Sequence, residues 1–186
     1  MSVLARLLVA GLMLMAGSVA AAPNHDGEIW VKVDPDAAEL TVYQGHEPVE
    51  VFQQISVGRA GTAALRQRGD NRTPTGEFRI NRINQNSPFH IFLGLDYPTP
   101  RHARKALEAG VFDEAEYRAY HDHLRRHRAP PQETRLGGHI GIHGIGGGDP
   151  DIHDRFHWTQ GCVAVTNEEI ERLADWVNIG TRVLIR

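Results

Sequence analysis

The sequence predicts a mainly β protein with helical additions, and three observations lead to this prediction. Short runs rich in Val, Ile, Thr and aromatic residues alternate with turns that contain Pro, Gly, Asp or Asn. The composition changes to a helical one near residues 98–132, and a last helix and strand follow the loops beyond residue 144. We therefore expect a mainly β domain that carries a helical insertion near 98–132 and a C-terminal helix and strand.

The first half of the chain predicts five strands, each introduced or followed by turn residues. They cover residues 29–33, 39–43, 49–57, 75–80 and 89–95. The first three strands are close together in the sequence and are separated by short turns, which is typical of an antiparallel meander.

The insertion predicts two helices, at residues 100–109 and 113–128. Asp113 is the expected N-cap of the second helix, and two prolines after Ala129 end it. Three apolar residues of this helix, Tyr117, Tyr120 and Leu124, recur at helical spacing. They pack the helix onto the sheet or, as the alternative, form a wall of a substrate cleft.

The last third of the chain predicts a strand at residues 139–143, a glycine-rich flexible loop at 144–150, a helix at 167–177 and a strand at 181–185. Side chains alternate along a strand, so His139 and His143 are expected on one face. Thr166 or Asn167 is the expected cap of the helix.

The N-terminus has the pattern of a secretory signal peptide at residues 1–22. Arg6 precedes an apolar run, and small residues follow it before Pro23. The apolar run is shorter than the ~20 residues of a membrane-spanning helix, so an uncleaved anchor is the weaker alternative. We expect an exported protein of the periplasm or cell envelope, without a stable membrane span after cleavage, in which residues 28–186 form a single domain.

The composition excludes some classes of partner. The formal net charge is −3, and no basic face is indicated, which argues against a nucleic acid partner. Hydrophobic residues make up 41% of the chain, which argues against disorder.

Cys162 is the only cysteine, so it cannot form a disulfide within the chain. An exported protein normally uses cysteines in pairs, and an unpaired thiol there needs burial or a use. Burial as a small apolar side chain is one interpretation. The glycine before it and a histidine upstream favour the other interpretation, in which Cys162 is a nucleophile.

The chemistry predicted for this nucleophile involves His143. A neighbouring imidazolium or helix N-terminus lowers a thiol pKa, and His143 and the helix that begins near Asn167 are the two candidates. The thiolate would attack an amide carbonyl to form a thioester, with His143 protonating the leaving amine. Backbone N–H groups of Gly161 and Cys162 are candidate oxyanion donors, and Thr159 either orients the loop or the histidine or is a turn residue.

Two hypotheses from other classes compete with a cysteine enzyme. The pairs His139/His143 and His153/His157, with aspartates between them, superficially resemble the ligands of a zinc-dependent wall peptidase. Zinc needs three or four ligands that converge at ~2.0–2.3 Å, whereas these pairs lie on a predicted strand and a loop. The third hypothesis is a binding module without catalytic activity.

At these residues the chain resembles the YkuD-type L,D-transpeptidases of the bacterial cell wall. The family motif is His-Gly, a spacer of about fifteen residues, and Ser/Thr-x-Gly-Cys. It corresponds here to His143-Gly144 and Thr159-Gln160-Gly161-Cys162, with fifteen residues between His143 and Thr159. Thr73-Pro74-Thr75-Gly76 is similar to a second motif of the family. The resemblance implies a YkuD-like β-sandwich as the fold.

The resemblance implies that Cys162 is the nucleophile and His143 the proton donor and acceptor, with Gly161, Thr159 and Gly144 in oxyanion or positioning roles. It implies a thioester on the third residue of peptidoglycan tetrapeptide stems, in cell wall synthesis and remodelling, with no metal or cofactor. It also implies that carbapenem β-lactams trap the thiol. The partners are then peptidoglycan stems and, as a second candidate, a wall-attached lipoprotein.

One departure from the family pattern concerns Ala164, because wall-crosslinking members commonly have Arg after Gly-Cys-Ile/Val. The sequence is similar to a branch that includes hydrolases that release wall-bound lipoprotein, which makes a cysteine amidase or carboxypeptidase the alternative activity. Arg72, Arg155 and Arg79 are the candidates to replace the missing charge. His139 supports His143 or binds substrate.

Overall fold

The structure is a computed structural model, and it describes residues 27–186. The predicted signal peptide therefore lies outside the described residues. Within residues 27–186, no helix combines the length and apolar character that crossing a membrane requires.

Ten strands and four helices form the described part of the chain. The strands are β1 Ile29–Asp34, β2 Glu39–Gln44, β3 Glu47–Gln53, β4 Thr62–Ala63, β5 Thr73–Pro74, β6 Gly76–Ser87, β7 His90–Leu95, β8 Gly141–His143, β9 Val163–Ala164 and β10 Arg182–Ile185. The helices are α1 Pro100–Glu108, α2 Glu114–His127, α3 Pro150–Arg155 and α4 Asn167–Trp176.

Eight strands form one mixed sheet in the order β3-β2-β1-β10-β6-β7-β8-β9, which confirms the prediction of a mainly β fold. Strand β6 joins the two halves, because Gly76–Arg79 pair with β10 and Ile80–Ser87 pair with β7. The sheet also returns on itself, since Ser56, shortly after β3, bridges to Ala164 of β9. The two layers expected of a sandwich are thus parts of one continuous sheet.

A single apolar core fills the space between the two halves of the sheet. Val31 and Val33 of β1 belong to it, together with Phe78 of β6 and Ile142 of β8, and each of these side chains is at most 1% exposed. Alternation along β1 and β6 directs these residues inward and leaves polar residues such as Lys32 at the outer face. The core therefore supports both β1 near the sheet centre and β8 near the functional residues.

The two helices of the insertion are present and pack against the sheet. Asp113 caps α2 as predicted, in a reciprocal pair with Glu116. Tyr120 is buried and donates to the carbonyl of Pro98 over 2.7 Å, and Tyr117 and Leu124 pack against the core. None of these three side chains lines the main cleft, so the packing interpretation of the apolar stripe is the correct one.

Three details differ from the sequence-based expectation. The predicted strand at 139–143 starts only at Gly141, because His139 has a left-handed backbone with φ 57°. The region predicted as loop contains the short helix α3, capped by the Asp149 side chain and started by Pro150. Finally, β9 follows Cys162 and consists of two residues only, too few to form a sequence pattern.

Candidate active site

Cys162 lies at the end of a tight turn, directly before β9. β9 runs parallel to β8, with Ile142 opposite Val163 and His143 opposite Ala164. The thiol donates to the carbonyl oxygen of His139 over 3.5 Å, and part of the residue is exposed to the cleft. The cysteine is therefore presented beside the start of β8, on which His143 lies.

The turn before Cys162 is held by the hydroxyl of Thr159, which is 3% exposed. This hydroxyl donates to the carbonyl of Cys162 over 2.7 Å and accepts from the N–H of Gly161 over 3.1 Å. The Cys162 carbonyl also accepts from the hydroxyl of Thr73 over 3.4 Å. Thr159 therefore orients the loop, and it makes no hydrogen bond to His143.

The same hydrogen bonds change the expectation for the oxyanion donors. The N–H of Gly161 is engaged by Thr159 and is not free to bind an oxyanion in this conformation. The N–H of Cys162 makes no hydrogen bond to Thr159. Of the two candidate oxyanion donors, Gly161 and Cys162, the N–H of Cys162 is therefore the one that Thr159 leaves free.

Gly161 has a conformation and surroundings that only glycine fits. Its φ is +134°, and an added Cβ would lie 2.7 Å from the Nη1 atom of Arg66 and 2.8 Å from the carbonyl of Arg72. The absence of a side chain at Gly161 therefore allows the backbone before Cys162 to lie against the Arg66 guanidinium.

His143 is 2% exposed, and three aromatic rings surround it. Its ring centroid lies 4.4 Å from that of Phe89, 6.0 Å from Phe92 and 5.9 Å from Trp158. Nδ1 lies 2.7 Å from the carbonyl oxygen of Gly144. A carbonyl only accepts, so Nδ1 carries the proton and Nε2 is the nitrogen that remains able to accept one.

Gly144 is a structural requirement of this arrangement. An added Cβ would lie 2.6 Å from the Asn167 side chain and 2.9 Å from the carbonyl of Phe89. Its backbone can therefore approach both segments and offer its carbonyl to His143, which is a positioning role.

Burial favours the neutral forms of both side chains. It raises the pKa of the Cys162 thiol to about 11, against a hydrogen bond from the N–H of Gly141 and the charge of Arg66, which favour the thiolate. Burial also lowers the pKa of His143, although its hydrogen bond to Gly144 opposes this. The expectation of a lowered thiol pKa is therefore wrong for the resting site.

The helix N-terminus does not assist the thiol either. The first turn of α4 is capped by the Thr166 side chain, which accepts from the N–H of Glu169. Three residues, the two of β9 and Val165, separate Cys162 from this cap. Burial thus favours a neutral thiol at Cys162 and a neutral imidazole at His143 in the resting site.

A cleft of about 750 Å³ is lined by both residues. Its charged lining consists of Arg66, Arg68, Arg82, Glu133 and the ionisable His139, and Asn, Gln and Ser side chains provide hydrogen-bonding groups. Three arginines against one carboxylate make the cleft suited to an anionic, peptide-like ligand, although the whole chain is slightly acidic.

The helical insertion contributes one wall of this cleft through the segment that follows it. Gln132 accepts from the N–H of His139 over 2.6 Å and donates to the carbonyl of Tyr97 over 3.0 Å. Glu133 binds Nε2 of His139 over 3.2 Å. His139 is thus held at the cleft by the insertion, and it does not support His143 through a hydrogen bond.

The arginines proposed to replace a missing charge lie elsewhere. Arg72 is exposed and donates to the carbonyl of Thr62 over 3.2 Å. Arg79 donates to the carbonyl of Gly180 over 2.8 Å, and Arg155 is exposed on α3. None of these three side chains lines the main cleft, which receives its positive charge from other arginines.

The buried arginine that does line the cleft is Arg66, which the sequence patterns did not identify. Its side chain is 5% exposed, lines the cleft and acts electrostatically on Cys162. It belongs to the irregular segment between β4 and β5, where no periodicity distinguishes one arginine from another. The only indication in the sequence is Asp70, four residues later, which pairs with it over 3.4 Å.

The four histidines of the zinc hypothesis have other partners. His153 accepts from the indole N–H of Trp158 over 3.2 Å, and His157 accepts from the N–H of Val57 over 3.3 Å. Within residues 27–186, no group of three or more His, Cys, Asp or Glu side chains is arranged to hold a metal ion. The zinc peptidase alternative therefore has no ligand set in the described part of the chain.

A sequence model of the YkuD family, described as the L,D-transpeptidase catalytic domain, matches residues 28–185. None of the curated protein sequences compared with this chain is significantly similar to it.

Solved structures with the same fold are similar to most of this chain. Bd1075 of Bdellovibrio bacteriovorus is 19% identical, with a TM-score of 0.56 over 86% of this chain and 48% of its own. Pgp2 of Campylobacter jejuni, a helical cell shape determining protein, is 16% identical, with a TM-score of 0.57 over 89% of this chain and 52% of its own. This chain thus spans about half the length of these two proteins.

Proposed function

Because the chain belongs to the family of YkuD-type L,D-transpeptidase catalytic domains, we propose that it is a cysteine acyltransferase that acts on the peptide stems of peptidoglycan. The observation that carries the proposal is a single cleft that is lined by Cys162, by His143 and by three arginines. Peptidoglycan stems are rich in carboxylates, and they belong to the cell envelope, where we place the activity.

The first step is acylation of Cys162. Nε2 of His143 accepts the thiol proton as the sulfur attacks the carbonyl carbon of the third stem residue. The N–H of Cys162 donates to the oxygen of the tetrahedral intermediate. The intermediate then expels the amine of the terminal residue, which takes the proton from His143, and a thioester remains on Cys162.

The second step returns the enzyme to its resting form. An amine from a neighbouring stem attacks the thioester carbonyl, loses its proton to Nε2 of His143, and forms a new amide. The sulfur leaves and takes this proton back, so the thiol and the neutral imidazole are restored. No metal or cofactor is required, because the residues supply both the nucleophile and the base.

Hydrolysis is the second candidate function, and Ala164 favours it. This residue is fully buried in β9, so it presents no charge to a second stem at the place where crosslinking relatives commonly have Arg. Water would then resolve the thioester and release a shortened stem, or a freed lipoprotein if the leaving amine belongs to one.

The test is incubation of the protein with tetrapeptide muropeptides in ¹⁸O-labelled water, with and without an amine acceptor, followed by mass spectrometry. Dimers or exchanged stems that are lost in Cys162→Ala support the transferase. Labelled tripeptides without dimers establish the hydrolase. An intact mass that shows no acyl-enzyme with any donor, and no product above the Cys162→Ala control, contradicts both.

A further inference from the structure

We propose that Arg66 binds the terminal carboxylate of the donor peptide, so that the enzyme selects stems whose last residue ends in a free carboxylate. The inference deepens the proposed function and rests on it. It assigns substrate specificity to a residue outside the Cys-His motif.

Arg66 is an exceptional arginine in this structure because its side chain is 5% exposed, although a guanidinium remains charged at all ordinary pH values. A charge so far removed from water is costly unless other groups compensate it. The protein groups that bind or neutralise the Arg66 guanidinium therefore show whether a ligand is needed to complete its interactions.

The hydrogen bonds of Arg66 leave most of its donors unused. Nη2 donates to the carbonyl of Gln67 over 3.4 Å, and Nε makes no hydrogen bond although it lies 3.4 Å from an Asp70 oxygen. Both Asp70 oxygens are already engaged by backbone N–H groups, of Gln67 over 2.8 Å and of Arg72 over 3.0 Å. Asp70 thus neutralises Arg66 only in part.

The guanidinium of Arg66 lies beside the residue that precedes the proposed nucleophile. Nη1 lies against Gly161, the residue before Cys162, where an added Cβ would be 2.7 Å away. The Tyr97 ring lies on another side, with its centroid 6.0 Å from Cζ. A planar donor group with unused N–H bonds is therefore held beside the residue before Cys162, in the lining of the cleft.

The other two arginines of the cleft are already occupied. Arg68 pairs with Glu133 over 2.6 Å and is half exposed, and Arg82 lies over the Phe92 ring at 5.2 Å. Neither has the combination of burial and unused donors found at Arg66.

The chemistry of the donor places a carboxylate close to the bond that Cys162 breaks. The sulfur attacks the carbonyl of the third residue, and the leaving nitrogen belongs to the fourth, whose α-carboxylate is joined to that nitrogen through one carbon. When the C–N bond breaks, the nitrogen takes its proton from His143 and the carboxylate stays on Arg66. A guanidinium binds a carboxylate through two parallel N–H bonds.

The experiment compares a tetrapeptide donor that ends in a free carboxylate with the same peptide ending in a carboxamide, and kcat/KM is measured for release of the terminal residue. We expect the wild-type protein to prefer the free carboxylate by about 10- to 100-fold, because the carboxamide loses a charged bidentate bond. In Arg66→Gln, the preference for the free carboxylate should fall to about 3-fold or less, in addition to a smaller loss common to both donors, because the charge that favours the thiolate is also removed. Arg66→Lys should restore only part of the preference.

Arg68→Gln is the matched control, because it removes another arginine of the same cleft and should keep the preference of the wild-type protein. Equal use of the two donors by the wild-type protein would overturn the assignment without any variant. An equal loss on both donors in a folded Arg66→Gln protein would also overturn it, since that pattern indicates a structural role. Absence of an acyl-enzyme with both donors would overturn the proposed function, and the role of Arg66 with it.

Discussion

The hydroxyl of Thr159 lies 2.7 Å from the carbonyl oxygen of Cys162, and the same hydroxyl accepts the N–H of Gly161. Thr159→Val keeps the size of the side chain but leaves both buried groups without this partner. We expect it to cost ~1–3 kcal/mol of unfolding free energy, measured by urea denaturation, and to slow acylation of Cys162. Thr159→Ser keeps the hydroxyl and should stay close to wild type, and equal losses in both variants would contradict the assignment.

The raised pKa of Cys162 predicts how its thiol reacts with a small alkylating agent. With the pKa of Cys162 at about 11, iodoacetamide should react slowly near neutral pH, and its rate should rise about tenfold per pH unit up to that value. His143→Gln should leave this profile almost unchanged, because His143 does not hold the thiol as a thiolate. Trapping of the thiol by a carbapenem, followed by intact mass, should in contrast be lost in His143→Gln. A plateau of the wild-type alkylation rate near neutral pH would instead indicate a thiolate–imidazolium pair.

Gly161 predicts a strong effect from a single methyl group. Gly161→Ala places a Cβ where φ is +134° and where Arg66 Nη1 and a backbone carbonyl are both under 3 Å away. A displacement of the nucleophile by about 1 Å can cost about 100-fold in rate, and we expect a loss of this size in kcat/KM. Gly147→Ala is the control, since an added Cβ there meets nothing within 4 Å. Similar kinetics for the two variants would show that the turn adapts.

Asn167 links α4 to the loop that leaves β8. Its side-chain amide accepts from the N–H of Gly146 over 2.8 Å and donates to the carbonyl of the same residue over 2.9 Å. In Asn167→Ala we expect faster hydrogen–deuterium exchange at Gly146 and a stability loss of about 1 kcal/mol. Asn178→Ala, at an exposed position, should change neither quantity. Unchanged exchange at Gly146 in Asn167→Ala would mean that other contacts hold the loop.

His102 predicts a loss of stability in acid. It is 3% exposed and stacks on Phe78, and burial lowers its pKa from 6.5 to about 4. Since the unfolded state binds the proton more tightly, the stabilisation is complete above about pH 6.5 and is lost as the pH falls toward 4, up to about 3 kcal/mol.

The check is urea denaturation of wild type and His102→Gln across this pH range. The variant should show the smaller loss of stability on acidification. Replacement of the exposed His46 by Gln should leave the wild-type slope intact. Parallel slopes for wild type and His102→Gln would contradict the assignment, and any remaining slope in the variant is expected from His143 and His153, whose pKa values burial also lowers.

The elements with long periodic patterns could be predicted from the sequence, and the short ones could not. The pairs Asp113/Glu116 and Thr166/Glu169 form capping boxes at the starts of α2 and α4, which local sequence determines. β9 has two residues and α3 has six, and both depend on packing against distant segments rather than on periodicity.

Some features of the candidate site could likewise be predicted from the sequence, and others could not. The spacing between His143 and Cys162 is visible in the sequence and places both in one cleft. The left-handed backbone of His139 depends on its contact with Gln132, and the position of Arg66 depends on a loop that passes Gly161. Such relations join residues that are remote in the sequence, so no local pattern reveals them.

The position of β10 has a consequence for the order of folding. β10 lies between β1 and β6, so the strand order of the sheet is complete only after the last strand has inserted between them. The pairing of Trp30 in β1 with Arg182 in β10 joins residues that are very far apart in the sequence. Such a contact is slow to form. A chain cut before β10 would expose two open strand edges, which are prone to aggregate, and we expect it to be degraded rather than to persist as a partly folded protein with a reactive thiol.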